Sequence, residues 1–262
     1  TVPTLRPHRA YAERTAADHC PNPATPTCPQ TSPFARGRFN TGDARPRYDR
    51  KMDGSAVSIA SLRRSEFGEA GDLLARAFFD TDQWAAVVPD EAIRRSKLQQ
   101  MFEGTLKTAE VAGGVSERSA GFEAVAVWLP PGQTFGFWSM VRSGFASARF
   151  MFTLPALPLG PMTRMLRQFD AEHKRRMPNP HWYLMALGVD PDHQGRGFGS
   201  ALVDHGVRRA DAEGMPIYLE TESGPNVRFY ETLGFDVLGE LVIDAYDLPM
   251  SLLIRHPGGS RP

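Results

Sequence analysis

Cysteine is nearly missing from this 262-residue chain: Cys20 and Cys28 are the only two, and both lie close to the N-terminus. One C-x7-C pair is too few ligands for a tetrahedral zinc site. It also leaves everything downstream without a thiol nucleophile or a disulfide, which fits a reducing, cytoplasmic setting. Long apolar runs are missing too. The nearest case, residues 135–162, is interrupted by Arg142, Arg149, Pro155 and Pro158, so no membrane-spanning helix is expected. The first residues lack the apolar core of a secretory signal. Net charge is zero, with 30 basic against 30 acidic side chains, and gives no electrostatic ground for a nucleic-acid or membrane partner. No two histidines stand at metal-ligand spacing, so no metal is expected.

What is present divides the chain at about residue 52. Residues 1–52 hold eight of the 22 prolines, nine basic residues against four acidic ones, and no apolar period. Such a segment buries too little to order itself and reads as a disordered basic extension. Met52 opens the patterned part, so residues 1–52 also fit an upstream start assignment. Residues 53–256 read as one domain of mixed α/β class, and 257–262 as a disordered tail. Val57 to Leu62 is expected as a strand. Ser65 to Phe79 is expected as a helix with Ser65 at the N-cap and Leu73, Leu74, Ala77 and Phe78 on its apolar stripe. Asp80 to Asp90 reads as a loop and Glu91 to Ala112 as a second helix. Val115 lies near the partner of a strand over Phe122 to Leu129. An insertion then carries two helices, over 137–152 and 161–177, between the third and fourth strands.

The most informative stretch comes next. Trp182 to Val189 is an apolar strand, and Ser200 to Glu213 is a helix with Leu202, Val203, Val207 and Ala210 on one face. Between them runs Gln194-Gly195-Arg196-Gly197-Phe198-Gly199. Glycines let the backbone turn sharply and approach a ligand closely. The unpaired amides of a helix start bind phosphate oxygens. Dinucleotide-binding spacing (G-x-G-x-x-G) is not met, and the lysine of a P-loop is missing. Pro216 to Thr221 follows as a strand. Asn226 to Phe235 is a short helix stopped by Gly234, and Asp236 to Ile243 and Leu248 to Ile254 are two final strands.

The segment Gln194-x-x-Gly197-x-Gly199 after a strand ending Val-Asp-Pro resembles the acetyl-CoA motif of the GCN5-related N-acetyltransferases (GNAT). Within that superfamily, Ala124 to Trp128, Trp182 to Gly199, Leu219-Glu220-Thr221 and Phe229 to Phe235 are similar to the puromycin N-acetyltransferase group. The resemblance implies a GNAT fold, a mixed twisted sheet flanked by helices with a helical insertion between the third and fourth strands. It implies acetyl-CoA as cosubstrate and direct transfer to the amine of a small molecule in a ternary complex. It further implies that Leu187, Gly188 and Val189 meet the pantetheine arm, and that Gln194, Gly195, Arg196, Gly197, Phe198, Gly199 and Ser200 hold the pyrophosphate. Asn226 would touch the pantetheine or nearby backbone. Tyr230 would protonate the departing thiolate, since a phenol with a pKa near 10 is protonated at neutral pH. Glu220, a carboxylate in mid-strand, needs a partner or a task. It reads either as the base for the amine or as a solvent-facing residue. Asp80 and Asp82 are candidates for recognising a cationic amine. Arg196 reads either as a phosphate contact or as a solvated loop residue; the histidines His181, His193 and His205 have no assigned role, and His193 is expected at the surface. A CoA-binding regulatory module and a protein N-acetyltransferase are the alternatives, and a homodimer through the C-terminal strands is left open.

Overall fold

The computed structural model describes residues 57–133, 159–222 and 224–259, all within the unit Lys51–Pro262. The extension over 1–52 and the helix expected over 137–152 lie outside the described residues.

The described elements alternate as the sequence pattern requires. Strand β1 (Ile59–Ser61) leads through a 3-10 turn to helices α1 (Phe67–Ala77), α2 (Asp82–Val87) and α3 (Glu91–Val111). Strands β2 (Val115–Ser119) and β3 (Ala124–Leu129), helix α4 (Leu159–Arg176) and strand β4 (Trp182–Val189) follow. The chain ends with α5 (Phe198–Ala212), β5 (Ile217–Thr221), α6 (Gly224–Glu231), β6 (Asp236–Ile243) and β7 (Leu248–Arg255). The seven strands form one sheet in the order β1-β2-β3-β4-β5-β7-β6. Every neighbouring pair is antiparallel except β4 and β5.

Because successive strand residues face opposite sides, the sheet divides the core in two. On one side, Leu73 and Leu74 of α1 and Leu98, Phe102 and Leu106 of α3 pack on Val125, Val127 and Leu129. On the other, Leu202, Val203 and Ala210 of α5 and Tyr230 of α6 pack on Ala124, Ala126, Trp128 and Leu219. Helix α4 lies on the first side, across the far strands. Its Gln168 exchanges hydrogen bonds with the Val242 carbonyl (2.6 Å) and the Asp244 amide (3.1 Å), and its Met162 and Met165 pack with Val87, Ile243 and Met250.

Three local expectations are corrected. Ser65 is not an N-cap: residues Arg64–Glu66 form a 3-10 turn ahead of α1, and Glu66 occupies the cap position. Glu66 instead accepts from the Arg63 amide and guanidinium (2.8 and 2.7 Å) and from Arg118 (2.8 Å), which hold its carboxyl down at about 2. Second, the loop expected over 80–90 contains α2. Its N-terminal amide at Gln83 donates to Glu222 from 139 positions away (2.7 Å). Its C-terminal end is closed by buried Arg94, which donates to the carbonyls of Val88 and Pro89 (2.7 and 2.9 Å). Both partners lie outside the helix itself, so the local sequence carries no sign of it. Third, α5 begins at Phe198 rather than Ser200, with Gly197 at its N-cap.

Candidate active site

The glycine loop takes the form that its composition asks for. Gly195 and Gly197 have φ of +72° and +85°, a left-handed backbone that a Cβ disfavours by about 1–2 kcal/mol. Gln194, Gly195, Arg196 and Gly197 are exposed. The first amides of α5, at Phe198, Gly199 and Ser200, precede any intrahelical acceptor and point out of the helix start. Gly199 serves a different end. A Cβ there would meet Val189 Cγ2 at 3.2 Å, Phe229 Cζ at 3.6 Å and Leu187 Cδ2 at 3.8 Å, so its smallness lets α5 close on the end of β4 and on α6. Gly188 is also a packing position, against Leu74 and Ala77 of α1. Asp190, at the start of the loop, is tied to α1 by Arg76 (Nε 3.1 Å, guanidinium 2.6 Å). That clamp had no signal in the sequence. His193 lies 3.6 Å from Asp190 with its side chain 39% exposed, and Arg196 is exposed.

Strand β4 leaves its neighbour early. The β4–β5 ladder consists of Trp182↔Ile217 and Tyr183↔Tyr218, after which the strands part while β4 stays paired to β3 as far as Val189. The register with β3 slips by one residue beside the opening, where Val127 faces Ala186 but Trp128 faces Leu184. The bulge turns local side chains and strengthens the twist that separates the strands. The result is a slot through the sheet, with the β4 edge from Leu184 to Val189 free on its β5 side and leading directly into the glycine loop. Leu187, Gly188, Val189 and the loop residues therefore form one continuous surface.

Glu220 and Tyr230 flank this slot from opposite sides of the sheet. Glu220 shares its face with Tyr218 and Tyr183. Its carboxyl keeps some surface exposure yet is closely enclosed, as a group at the bottom of a cleft is. Enclosure pushes its pKa up to about 7, and the Tyr183 and Tyr218 hydroxyls oppose that rise by favouring the carboxylate. The Tyr218 hydroxyl is buried and makes no full hydrogen bond among the described residues. A solvent-facing Glu220 is thereby replaced by an enclosed one. Tyr230 packs with Leu219, Leu233 and Phe235 on the α5–α6 face, its ring edge-on to Phe229 and Phe235 at 5.0 and 5.5 Å. Burial alone raises its phenol above 10. Asn226 lies on the exposed face of α6, and Gly234, with φ of +83°, ends that helix as expected. Asp82 opens α2, and Glu222, its carboxyl raised by burial and by Asp82, holds α2 to the end of β5.

Residues 162–235, from α4 through α6, match the family model described as the acetyltransferase (GNAT) family. That segment is similar to the GNAT family, and the fold around it is a GNAT fold. Beyond the matched segment, an uncharacterized N-acetyltransferase of Schizosaccharomyces pombe is 26% identical over 214 residues, covering 77% of this chain and 84% of that protein. A solved structure from Corynebacterium glutamicum, described as histone acetyltransferase HPA2 and related acetyltransferase, is 21% identical. It covers 79% of this chain and 99% of its own, with a TM-score of 0.55. The polyamine N-acetyltransferase of Drosophila melanogaster, which forms N-acetylagmatine, is 17% identical, with 76% and 99% covered and a TM-score of 0.51.

The domain also holds two features that the sequence did not disclose. His173 and His181, eight positions apart across the end of α4 and the start of β4, bring their Nε2 atoms to 2.6 Å. His205 does not approach the slot; it joins Arg209 on the buried carboxylate of Glu117. Among the described residues no group of three or more metal-ligating side chains converges, and no helix is long and apolar enough to cross a membrane.

Proposed function

We propose that this chain moves an acetyl group from acetyl-CoA to a primary amine of a small molecule, by direct attack within a ternary complex. The observation that carries this reading is the slot between β4 and β5, with an enclosed carboxylate on one face and a buried phenol on the other. Acetyl-CoA would lay its pyrophosphate on the amides from Gln194 to Ser200. Its amide-rich arm would run along the free edge of β4 at Leu187 and Val189. A backbone amide at Leu187 or Gly188 would face the oxygen that gains charge during attack.

The proton steps divide between the two faces. An amine attacks only when neutral, and Glu220, poised to change charge near neutral pH, is suited to take its proton. A phenol held above its usual range stays protonated and is suited to give a proton to the departing thiolate, which assigns Tyr230 to the donor side. Glu222 and Asp82 add negative character near the acceptor side, in keeping with a cationic amine. The fold shared with a polyamine acetyltransferase supports small amines as a class, and the similarity to the puromycin group supports an acceptor with an apolar part. With no cysteine in the domain, a covalent acyl-enzyme has no nucleophile of the usual kind.

The test is acetyl-CoA-dependent thiol release across agmatine, spermidine, an aryl ethylamine, puromycin and a lysine peptide, with Tyr230→Phe alongside. Turnover on at least one small amine is expected, with kcat lowered roughly tenfold in the variant. Release on the peptide alone would instead favour a protein acceptor, and CoA binding without any turnover a regulatory module. A second variant addresses the cosubstrate. Gly197→Ala forces a Cβ into a left-handed backbone and is expected to raise the acetyl-CoA KM severalfold, with little change in kcat. An unchanged KM would dissociate the loop from the cosubstrate.

A further inference from the structure

Where β4 and β5 part, five side chains lie against one another. Glu220 lies against the hydroxyls of Tyr183 and Tyr218. The two phenol rings are 5.9 Å apart, and the His173 ring touches both, edge-on to Tyr183 at 4.8 Å and tilted against Tyr218 at 4.5 Å. His173 Nε2 meets His181 Nε2 at 2.6 Å, and His181 Nδ1 lies 2.7 Å from the Asn179 carbonyl oxygen. Both histidines are buried, at 4% and 5% exposure.

The partners fix where the protons are. A carbonyl oxygen only accepts, so His181 carries its hydrogen on Nδ1. Burial disfavours the charged form of both rings, taking His173 to about 4 and lowering His181 as well. A neutral His181 with hydrogen on Nδ1 has a bare Nε2, so His173 donates from its own Nε2. The chain of donation therefore runs one way, from His173 to His181 to the Asn179 carbonyl. Neither ring is free to rotate without losing a buried hydrogen bond, which costs about 1–3 kcal/mol. The charged groups around the stack are Asp170 and Lys174, which act on His173, and Glu172 and Arg176, which act on Tyr218. All four belong to α4. From the strands the stack is faced by the two phenols and Glu220.

We propose that His173 and His181 are positioning residues for Glu220: a neutral, directional histidine pair locks the two tyrosine rings so that their hydroxyls stay against the carboxylate. The proposal rests on the reading of Glu220 as the base that receives the acceptor amine's proton. Without the lock the phenols reorient, the carboxylate loses donors that favour its charged form, and its titration moves upward.

The test follows Glu220 directly, with no acceptor needed. In full-length protein labelled at the glutamate carboxyl carbons, the Glu220 signal is identified by its loss in Glu220→Gln and titrated by NMR. His173→Phe keeps a ring against both tyrosines but removes the donor. It is expected to raise the Glu220 midpoint by roughly half a pH unit or more. His173→Gln, whose amide can again donate to His181, is expected to restore it. His181→Phe breaks the same bond from the other side and serves if the first variant does not fold. An unchanged midpoint in a folded His173→Phe or His181→Phe protein overturns the proposal, because a purely structural role would leave it where it was. The reading of Glu220 as base fails separately: Glu220→Gln would retain turnover while the midpoint still moved in His173→Phe.

Discussion

Glu220→Gln is expected to lower kcat by about a hundredfold, the usual worth of a positioned general base, and to raise the melting temperature above pH 7. The two effects come from one cause. Glu220 titrates near 7 in the folded protein but near the ordinary carboxylate value when unfolded. Between those pH values the native state binds more protons than the unfolded state, so stability falls as pH rises through this window. At pH 8 the full cost of holding an enclosed charge is present. Glutamine keeps the shape and drops the charge, and so removes that cost along with the base. The rising limb of activity through about pH 7 should vanish with it. A pH–rate profile and a thermal melt at pH 5 and pH 8 check both statements. Lost activity without the pH-dependent gain in stability would mean that Glu220 is not the enclosed, neutral-range carboxyl described above.

Gly206→Ala is expected to reverse the normal sign of a helical glycine-to-alanine change. On an exposed helix this substitution gains about 1 kcal/mol. Gly206, however, is where α5 crosses the ring of Trp128, which is fully buried. A Cβ there would stand 2.5 Å from Cη2 and 2.7 Å from Cε2, and closer still to Cζ2. A close-packed core does not yield that much space, so α5 must lift from the sheet. A net loss of about 3 kcal/mol is expected, read as a fall in melting temperature of roughly 6–12 °C. Because α5 starts at the glycine loop, acetyl-CoA affinity should fall as well. Trp128→Phe removes the clashing ring atoms and should recover much of the loss in the double variant. Simple additivity of the two changes would show that the contact is not the cause.

The parts of the fold legible in the sequence are those written in local pattern. The apolar run of Trp182 to Val189, the glycines at 195 and 197 and the stop at Gly234 each state their own conformation. The strands β3, β5, β6 and β7 also fell where alternation and turn residues put them. Illegible were features held by distant partners. Helix α2 is capped by Glu222 and Arg94, so a stretch rich in aspartate passes for a loop. Ser65 has the chemistry of a cap, but the Arg63–Glu66–Arg118 cluster shapes the turn instead. In the site, Glu220 stood out as a charge in mid-strand, whereas whether it was enclosed depended on Tyr183 from another strand. The histidine pair had no sequence spacing to reveal it, because the chain reverses between Arg176 and Trp182.

The slot between β4 and β5 pierces the sheet and has a mouth on each face. Two molecules meeting in such a passage arrive from opposite directions. Neither lies across the path of the other, and each can leave by the way it came. On the reading proposed above, traffic of this kind would impose no waiting order: the donor product could depart while the acetylated amine is still bound, or the reverse. Helix α4 packs on one face of the sheet and α6 on the other, so on that reading residues on the acceptor's side could change without touching the donor's. The architecture would thus separate the question of which amine is accepted from the question of how coenzyme A is held, and let each be altered alone.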